Sequence, residues 1–341
     1  MIRMRWLKPM SLVVFLALGF SLFAQVPKLT AFKLIILGAG GGIAEDNLNG
    51  YLLAAKYSND FVCLDAGTLY SGIEKAEKSG KFYDVFVPSE MTISKTNYIF
   101  TDCIKAYLIS HAHLDHFAGL VIASPADKQK PVYGSQETIS FLTKNIFNWE
   151  IWPNFTDSGE GYRLKKYSLQ VVNPDTAFAV ENTSFKITPF VVSHQEPYTS
   201  TAFLIEDYGE YLLYLGDAGS DEIEKTNYLL ALWKSISPLI NQNRLHAILM
   251  ECSYPNSQPD HQLYGHLNPT WMMKELTQLA EIVNPTDPSH ALSGLKIIVT
   301  GIKPGAENGL SNADRIHSEL LKMNILNLEF VIPEQSQRIE F

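Results

Sequence analysis

Short apolar runs, each ending on glycine or a polar residue, recur along the chain between turn-rich segments. Phe32–Leu37 (FKLIIL), Gly50–Ala55 (GYLLAA), Asp60–Leu64 (DFVCL) and Ala106–Ile109 are rich in aliphatic and aromatic residues and predict strands. The same pattern returns at Ser184–Val192 (SFKITPFVV), Tyr198–Glu206, Glu210–Leu215 (EYLLYL), Leu245–Met250 (LHAILM) and Leu295–Val299. Residues 70–105 read as mixed and mainly helical, with Ile73, Ala76, Val85 and Val87 facing inward, and Phe117–Ala123 reads as a helix start packed on a sheet. A further helical segment is expected over Gln136–Asn148, followed by a run of large aromatics from Phe147 to Phe155 that suits a buried corner, a lid or the subunit contact of a homodimer. Strand after strand hands over a polar residue at its end: Asp65, Ser110, His194, Asp217, Glu251 and Thr300. An active site at a sheet edge is assembled in this way.

The first residues need a separate reading. Arg3, Arg5 and Lys8 form a positive start, Met10 to Phe23 is uncharged and mostly apolar, and Ala24 precedes an expected cleavage point. This predicts a secretory signal over residues 1–24 and a protein exported to the periplasm or the extracellular space, with an uncleaved anchor as the alternative. The apolar run is shorter than the roughly 20 residues of a membrane span, so no stable membrane insertion is expected after cleavage. Residues 25–341 show no repeat, low-complexity stretch or linker and read as one domain. Without the three leader cations the formal charge of −9 becomes −12, which disfavours a nucleic-acid polymer as partner. A small anionic ligand then needs a local positive feature such as a metal. Cys63, Cys103 and Cys252 are too few and too widely spaced for a disulfide framework, and their apolar settings predict buried thiols, with one disulfide left open by export.

The strongest chemical signal is Ser110-His111-Ala112-His113-Leu114-Asp115-His116, directly after a predicted strand. Burying three imidazoles and a carboxylate together without a metal is costly, whereas imidazole nitrogen and carboxylate oxygen together suit Zn²⁺ or Mn²⁺. With the strand-end residues His194 and Asp217 the cluster reads as two sites. His111, His113 and His194 would hold one ion, Asp115 and His116 the other, and Asp217 would bridge them. Two such cations about 3.5 to 4 Å apart clamp a phosphodiester and lower the pKa of a bridging water towards about 7. Asp65 is either a turn former or a partner that orients a metal-bound histidine. His266, in Tyr264-Gly265-His266-Leu267-Asn268-Pro269, is either a general acid or the cap of a turn. Gly38-Ala39-Gly40-Gly41-Gly42 follows a strand but puts Ile43 where the third glycine of a dinucleotide fingerprint belongs, so a sharp turn or close backbone approach fits better. Asn154-Phe155-Thr156 and Asn182-Thr183-Ser184 fit the glycosylation sequon, which matters only in a eukaryotic host.

SHAHLDHFAGL resembles the signature of the class II cyclic-nucleotide phosphodiesterases, a branch of the metallo-β-lactamase superfamily. The likeness extends through LGAGGGIAEDNLNGYLL, LDAGT, IFNWEIWPNF, VVSH, YLGDAG and ECSYPN followed by GHLNP. It implies an α/β protein, an αββα sandwich of the metallo-β-lactamase type, that hydrolyses 3′,5′-cyclic nucleotides (cAMP or cGMP) to 5′-nucleotides at two divalent ions, Zn²⁺ or Mn²⁺. Motif by motif, it implies metal ligation by His111, His113, Asp115, His116, His194 and Asp217. Catalytic work falls to His266 and Asp115, with Asp65, Glu251 and Lys303 close to the ions or the substrate. Relatives carry Thr-His-Ile-Lys where this chain reads Thr300-Gly301-Ile302-Lys303, and Gly301 cannot coordinate. The second ion is therefore expected to be weaker, to use more water, or to recruit another side chain such as His290. Alternatives within the same fold are hydrolysis of another phosphodiester or a lactone, or a metal-binding protein that has lost catalysis.

Overall fold

The computed structural model describes residues 31–341, and the expected leader lies outside them. Sixteen strands are present among these residues. In chain order they are β1 (Phe32–Gly38), β2 (Gly50–Ala55), β3 (Phe61–Ala66), β4 (Ile104–Leu108), β5 (Lys130–Gly134), β6 (Tyr167–Val171), β7 (Phe178–Ala179) and β8 (Lys186–Ser193). There follow β9 (Thr199–Asp207), β10 (Glu210–Tyr214), β11 (Leu245–Glu251), β12 (Lys296–Thr300), β13 (Ala306–Glu307), β14 (Leu310–Ser311), β15 (Glu329–Val331) and β16 (Arg338–Glu340). Two seven-stranded sheets run β16-β1-β2-β3-β4-β5-β6 and β15-β12-β11-β10-β9-β8-β7, while β13 and β14 form a small hairpin.

The central strands read as unbroken apolar runs because both faces are buried. In β1, Phe32, Leu34 and Ile36 point into a core shared by the two sheets, and Ile35 and Leu37 point to a second core under Ile73 and Phe117. β11 divides likewise: Ala247 and Leu249 enter the shared core, while Ile248 and Met250 join a third core with Trp233, Leu276 and Ile316. The third core is covered by the helices Tyr228–Asn241, Pro269–Val283 and Asn312–Met323. Helix, sheet, sheet and helix layers result, as expected.

Several local readings need correction. Residues 70–105 are helical only over Tyr70–Lys78 and Lys95–Tyr98, continued by a wide π-type turn to Cys103. Val85 is buried there but Val87 only half-buried. The helical segment expected over Gln136–Asn148 is present, as an α-helix to Phe141 that widens into π-type turns over Leu142–Ile146. In the aromatic run Phe147 and Phe155 are core, whereas Trp149 is about half exposed. Asn154 is fully buried with its amide on the Ser158 and Glu160 carbonyls, so its sequon is closed to modification. The three cysteines are buried free thiols.

Candidate metal centre

Parallel pairing of β3 with β4, of β10 with β11 and of β11 with β12 puts the ends of strands from both sheets along one edge. The segments leaving β3, β4, β8, β10, β11 and β12 there carry Asp65, His111–His116, His194, Asp217, Glu251 and Gly301. Leu114–Ala123 then starts as a helix with Asp115 in its first turn, where the helix dipole favours an acid. It can seat against β3 because Gly67 has no side chain: a Cβ there would lie 2.0 Å from the Asp115 carbonyl oxygen.

Four rings converge, with centroids of His111 4.6 Å from His113, 4.2 Å from His116 and 4.8 Å from His194. The outer nitrogens of three of them are tied back to the protein. His116 Nδ1 sits 2.6 Å from Asp65 Oδ2, and His194 Nδ1 2.9 Å from the Gly265 carbonyl. Ser110 Oγ donates to Asp65 Oδ2 at 2.6 Å and so accepts from His111 Nδ1 at 3.0 Å. These contacts hold the rings of His111, His116 and His194 with Nε2 turned inward, and the exposed His113 brings its Nδ1 up to the same cluster. His194 Nε2 and His113 Nδ1 are 3.1 Å apart. Asp217 Oδ2 lies 3.2 Å from His116 Nε2 and 4.0 Å from His111 Nε2, between the two groups. Asp115 Oδ2 is 4.0 Å from His116 Nε2 and accepts from the Gly42 N–H at 3.1 Å, which gives the glycine loop its role.

The fit to a divalent cation rests on one orphaned atom. His111 Nε2 is buried and has no hydrogen-bond partner, an arrangement that costs free energy unless the lone pair is used. The ligand atoms of His111, His113 and His194 all lie within 4.8 Å of one another, as do those of His111, His116 and Asp217. Nitrogen and carboxylate donors of this kind suit Zn²⁺ and Mn²⁺. Burial, reinforced by the neighbouring rings, pushes His111 well below the ordinary histidine range, and His113 falls to about 4 for the same reasons. Burial lowers His194 as well. These three imidazoles are thus neutral near pH 7, the state a ligand needs. Burial opposes charge on His116, but Asp217 and Asp65 on either side override it and raise it well above the usual value, so a cation held there would have to displace the proton on Nε2. Burial would likewise raise Asp217, yet His116, His266 and His111 hold its carboxyl well below the carboxylate range.

His266 stands beside this cluster, its Nδ1 2.9 Å from Glu251 Oε1, 3.1 Å from Ser253 Oγ and 3.6 Å from Asp217 Oδ2. Burial would lower it, but the Glu251 carboxylate raises it above the histidine norm. A turn cap needs no such carboxylate partner. Lys303 is half-buried and its charge is felt at both Asp115 and His266. Gly301 occupies the edge of the site at φ +67°, and a Cβ on it would lie 3.6 Å from Asp217 Oδ1. His290 is not brought in: it is an exposed residue bonded to Asp287 and Ser289.

Asp65 is a fully buried partner of His116, accepting also from the Ser110 N–H at 2.7 Å and from the Tyr214 hydroxyl. Tyr214, Ser110 and Asn49, whose Nδ2 is 3.1 Å from His116 Nε2, were not assigned roles from sequence. The only available signal was their place beside Asp217, His111 and the glycine loop.

Comparison with known proteins identifies the fold and the family. A 3′,5′-cyclic-nucleotide phosphodiesterase of Aliivibrio fischeri is 37% identical over 322 residues, covering 94% of this chain and 96% of its own. The crystal structure of unliganded yeast PDE1 superposes with a TM-score of 0.79 at 26% identity, covering 92% of this chain and all of that one. The metallo-beta-lactamase fold protein YhfI from Bacillus subtilis, at 19% identity, matches with a TM-score of 0.57 over 92% of this chain and all of its own, which identifies the fold. Residues 31–335 match the cAMP phosphodiesterases class-II family, and the chain belongs to it.

Proposed function

We propose that the protein hydrolyses 3′,5′-cyclic nucleotides to nucleoside 5′-phosphates at two divalent ions, Zn²⁺ or Mn²⁺. The observation that carries this reading is the inward-facing nitrogen set with the orphaned His111 Nε2. His111, His113 and His194 would hold one ion, Asp115 and His116 the other, with Asp217 shared. Bound there, the ions supply Lewis acidity towards a phosphoryl oxygen and a water of lowered pKa.

The chain's own residues do the rest. Asp65, Ser110 and the Gly265 carbonyl keep the rings oriented. Glu251 takes the His266 Nδ1–H, so the proton that His266 can give to the departing O3′ sits on Nε2. With Nδ1 taken by Glu251 and Ser253, Nε2 is the atom through which His266 would act as the acid; its ligand atom also lies within 4.8 Å of those of His194 and Asp217, so the acid would stand at the border of the ion site. Asp115 takes the Gly42 N–H, which aims its carboxylate at His116. With Gly301 contributing no side chain, the Asp115–His116 ion would have three protein ligands and the remainder water, which makes it the more weakly held.

The test is conversion of cAMP and cGMP followed by product chromatography, before and after dialysis against a chelator. Formation of 5′-AMP or 5′-GMP, abolished by the chelator and restored by Zn²⁺ or Mn²⁺, supports the reading; failure of the metal-restored protein to cleave either nucleotide overturns it. His266→Ala should lower kcat by about 10² to 10⁴ while metal content is unchanged. We also propose export, supported by Arg3, Arg5, Lys8 and the apolar run to Phe23. Recovery of the protein in periplasmic or culture fractions with a new N-terminus near residue 25 is the expected outcome, and retention of Met1 in the cytoplasm contradicts it.

A further inference from the structure

A cavity of about 820 Å³ opens directly onto the cluster, with His111, His113 and His194 in one part of its wall. The volume is in the range of small-molecule sites, roughly 300 to 1,000 Å³, and exceeds what a bare phosphodiester requires. Its remaining wall comes mainly from the helix Gln136–Phe141, the wide turn that continues it, and the start of β9. The sequence of this helix splits into two faces. Thr138, Ile139, Leu142 and Ile146 are buried, whereas Gln136, Phe141 and Asn145 are exposed and line the cavity. A wide turn inside a helix recurs at functional sites because it re-aims side chains.

Two aromatic side chains meet this space from separate elements. Phe141 is 40% exposed and Tyr198, before β9, is 63% exposed, so both rings are open to a ligand in the cavity. The two elements are tied together where Thr199 Oγ1 donates to Glu137 Oε2 at 3.4 Å. The side-chain amides of Gln136 and Asn145 make no hydrogen bond with other described residues, so each keeps a donor pair and an acceptor for a ligand. Bases bind proteins through this combination of an aromatic face for stacking and amides for the edge.

We infer that this cavity is the nucleoside subsite, in which Phe141 and Tyr198 stack on the purine while Gln136 and Asn145 meet its edge. The inference rests on the cyclic-nucleotide reading above. A cyclic nucleotide whose phosphodiester lies against His111, His113 and His194 has its ribose and base projecting along this wall. Residues here therefore set binding of the base, and the chemistry stays with the cluster.

Steady-state kinetics on the metal-loaded enzyme test it, using cAMP, cGMP and methyl p-nitrophenyl phosphate, a phosphodiester with neither base nor ribose. Phe141→Ala and Tyr198→Ala should each raise KM for the cyclic nucleotides by about fivefold or more. In the same variants kcat, and kcat/KM for methyl p-nitrophenyl phosphate, should stay within about twofold of the parent. Tyr198→Phe, which keeps the ring, should retain the parent KM. Unchanged KM in both alanine variants of an enzyme that cleaves cAMP or cGMP overturns the subsite while leaving the activity standing. A parent enzyme that cleaves methyl p-nitrophenyl phosphate but neither cyclic nucleotide overturns the activity and the subsite with it. Equal losses on all three substrates also overturn the subsite, because they place the residues in general structural support.

Discussion

Asp65 takes four hydrogen bonds on one fully buried carboxylate, from the Ser110 N–H and hydroxyl, His116 Nδ1 and the Tyr214 hydroxyl. That uses about all the acceptor positions a carboxylate has, so an amide in its place must turn a donor towards a donor. Asp65→Asn should weaken ion retention by about 10- to 100-fold, read by competition with a chromogenic chelator; unchanged retention would show that the carboxylate does not orient the ligands. Gly301 offers the opposite experiment. Its φ of +67° lies in the left-handed region, which costs a side-chain-bearing residue about 1 kcal/mol or more. A Cβ there nonetheless meets only ordinary contacts, 3.4 Å to Glu251 Cβ and 3.6 Å to Asp217 Oδ1. Gly301→His should thus lower Tm modestly while tightening the more weakly held ion, measured as metal remaining after dialysis. A variant that keeps no more metal than the parent would mean that this position does not limit the second site.

At the level of elements, the sequence made the central strands plain because burial on both faces leaves them continuously apolar, as in Phe32–Gly38 and Leu245–Glu251. The edge strands Glu329–Val331 and Arg338–Glu340 are three residues long and half polar, and nothing in their composition separates them from loops. The long helices over the β11 sheet went unread although Leu229, Leu232, Trp233 and Ile236 hold a helical period, because Pro238 and the apolar surroundings obscure it. What pins β16 to β1 is also invisible in sequence. Asp84 Oδ2 lies 2.7 Å from buried Lys33 of β1, and Asp84 Oδ1 lies 2.7 Å from Arg338 of β16. Burial works to raise the Asp84 carboxyl, but Arg338 and Lys33 bring it down to about 2. Since an unfolded aspartate titrates near 3.9, the contribution is complete above about pH 4 and is lost as pH falls towards about 2. Asp84→Asn should cost about 1 to 2 kcal/mol at neutral pH, allowing for its contact with solvent. Thermal melts should show the gap between parent and variant closing as the pH falls through that window. A gap independent of pH would remove the ion pairs from the explanation.

For the whole molecule, the two sheets matter because they bring distant residues to one edge: His111 to His116 from one sheet, His194, Asp217 and Glu251 from the other. The motif SHAHLDH was legible alone, since so many ligating groups in one stretch exceed what a core requires. Its completion by His194 and Asp217 was legible only from their strand-end positions. The cavity wall of Gln136, Phe141 and Tyr198 was not, because which helical face looks into a cleft is decided by tertiary packing. The net charge of −9 fits this arrangement only if the site itself supplies positive charge for an anionic substrate. The most direct test is therefore to titrate metal-free protein with Zn²⁺ or Mn²⁺ while following both bound metal and cAMP hydrolysis. The account predicts a first equivalent that binds tightly with little turnover, and activity that rises as the second, weaker ion fills. Full turnover at one equivalent, or turnover with no metal bound, would contradict the two-ion mechanism.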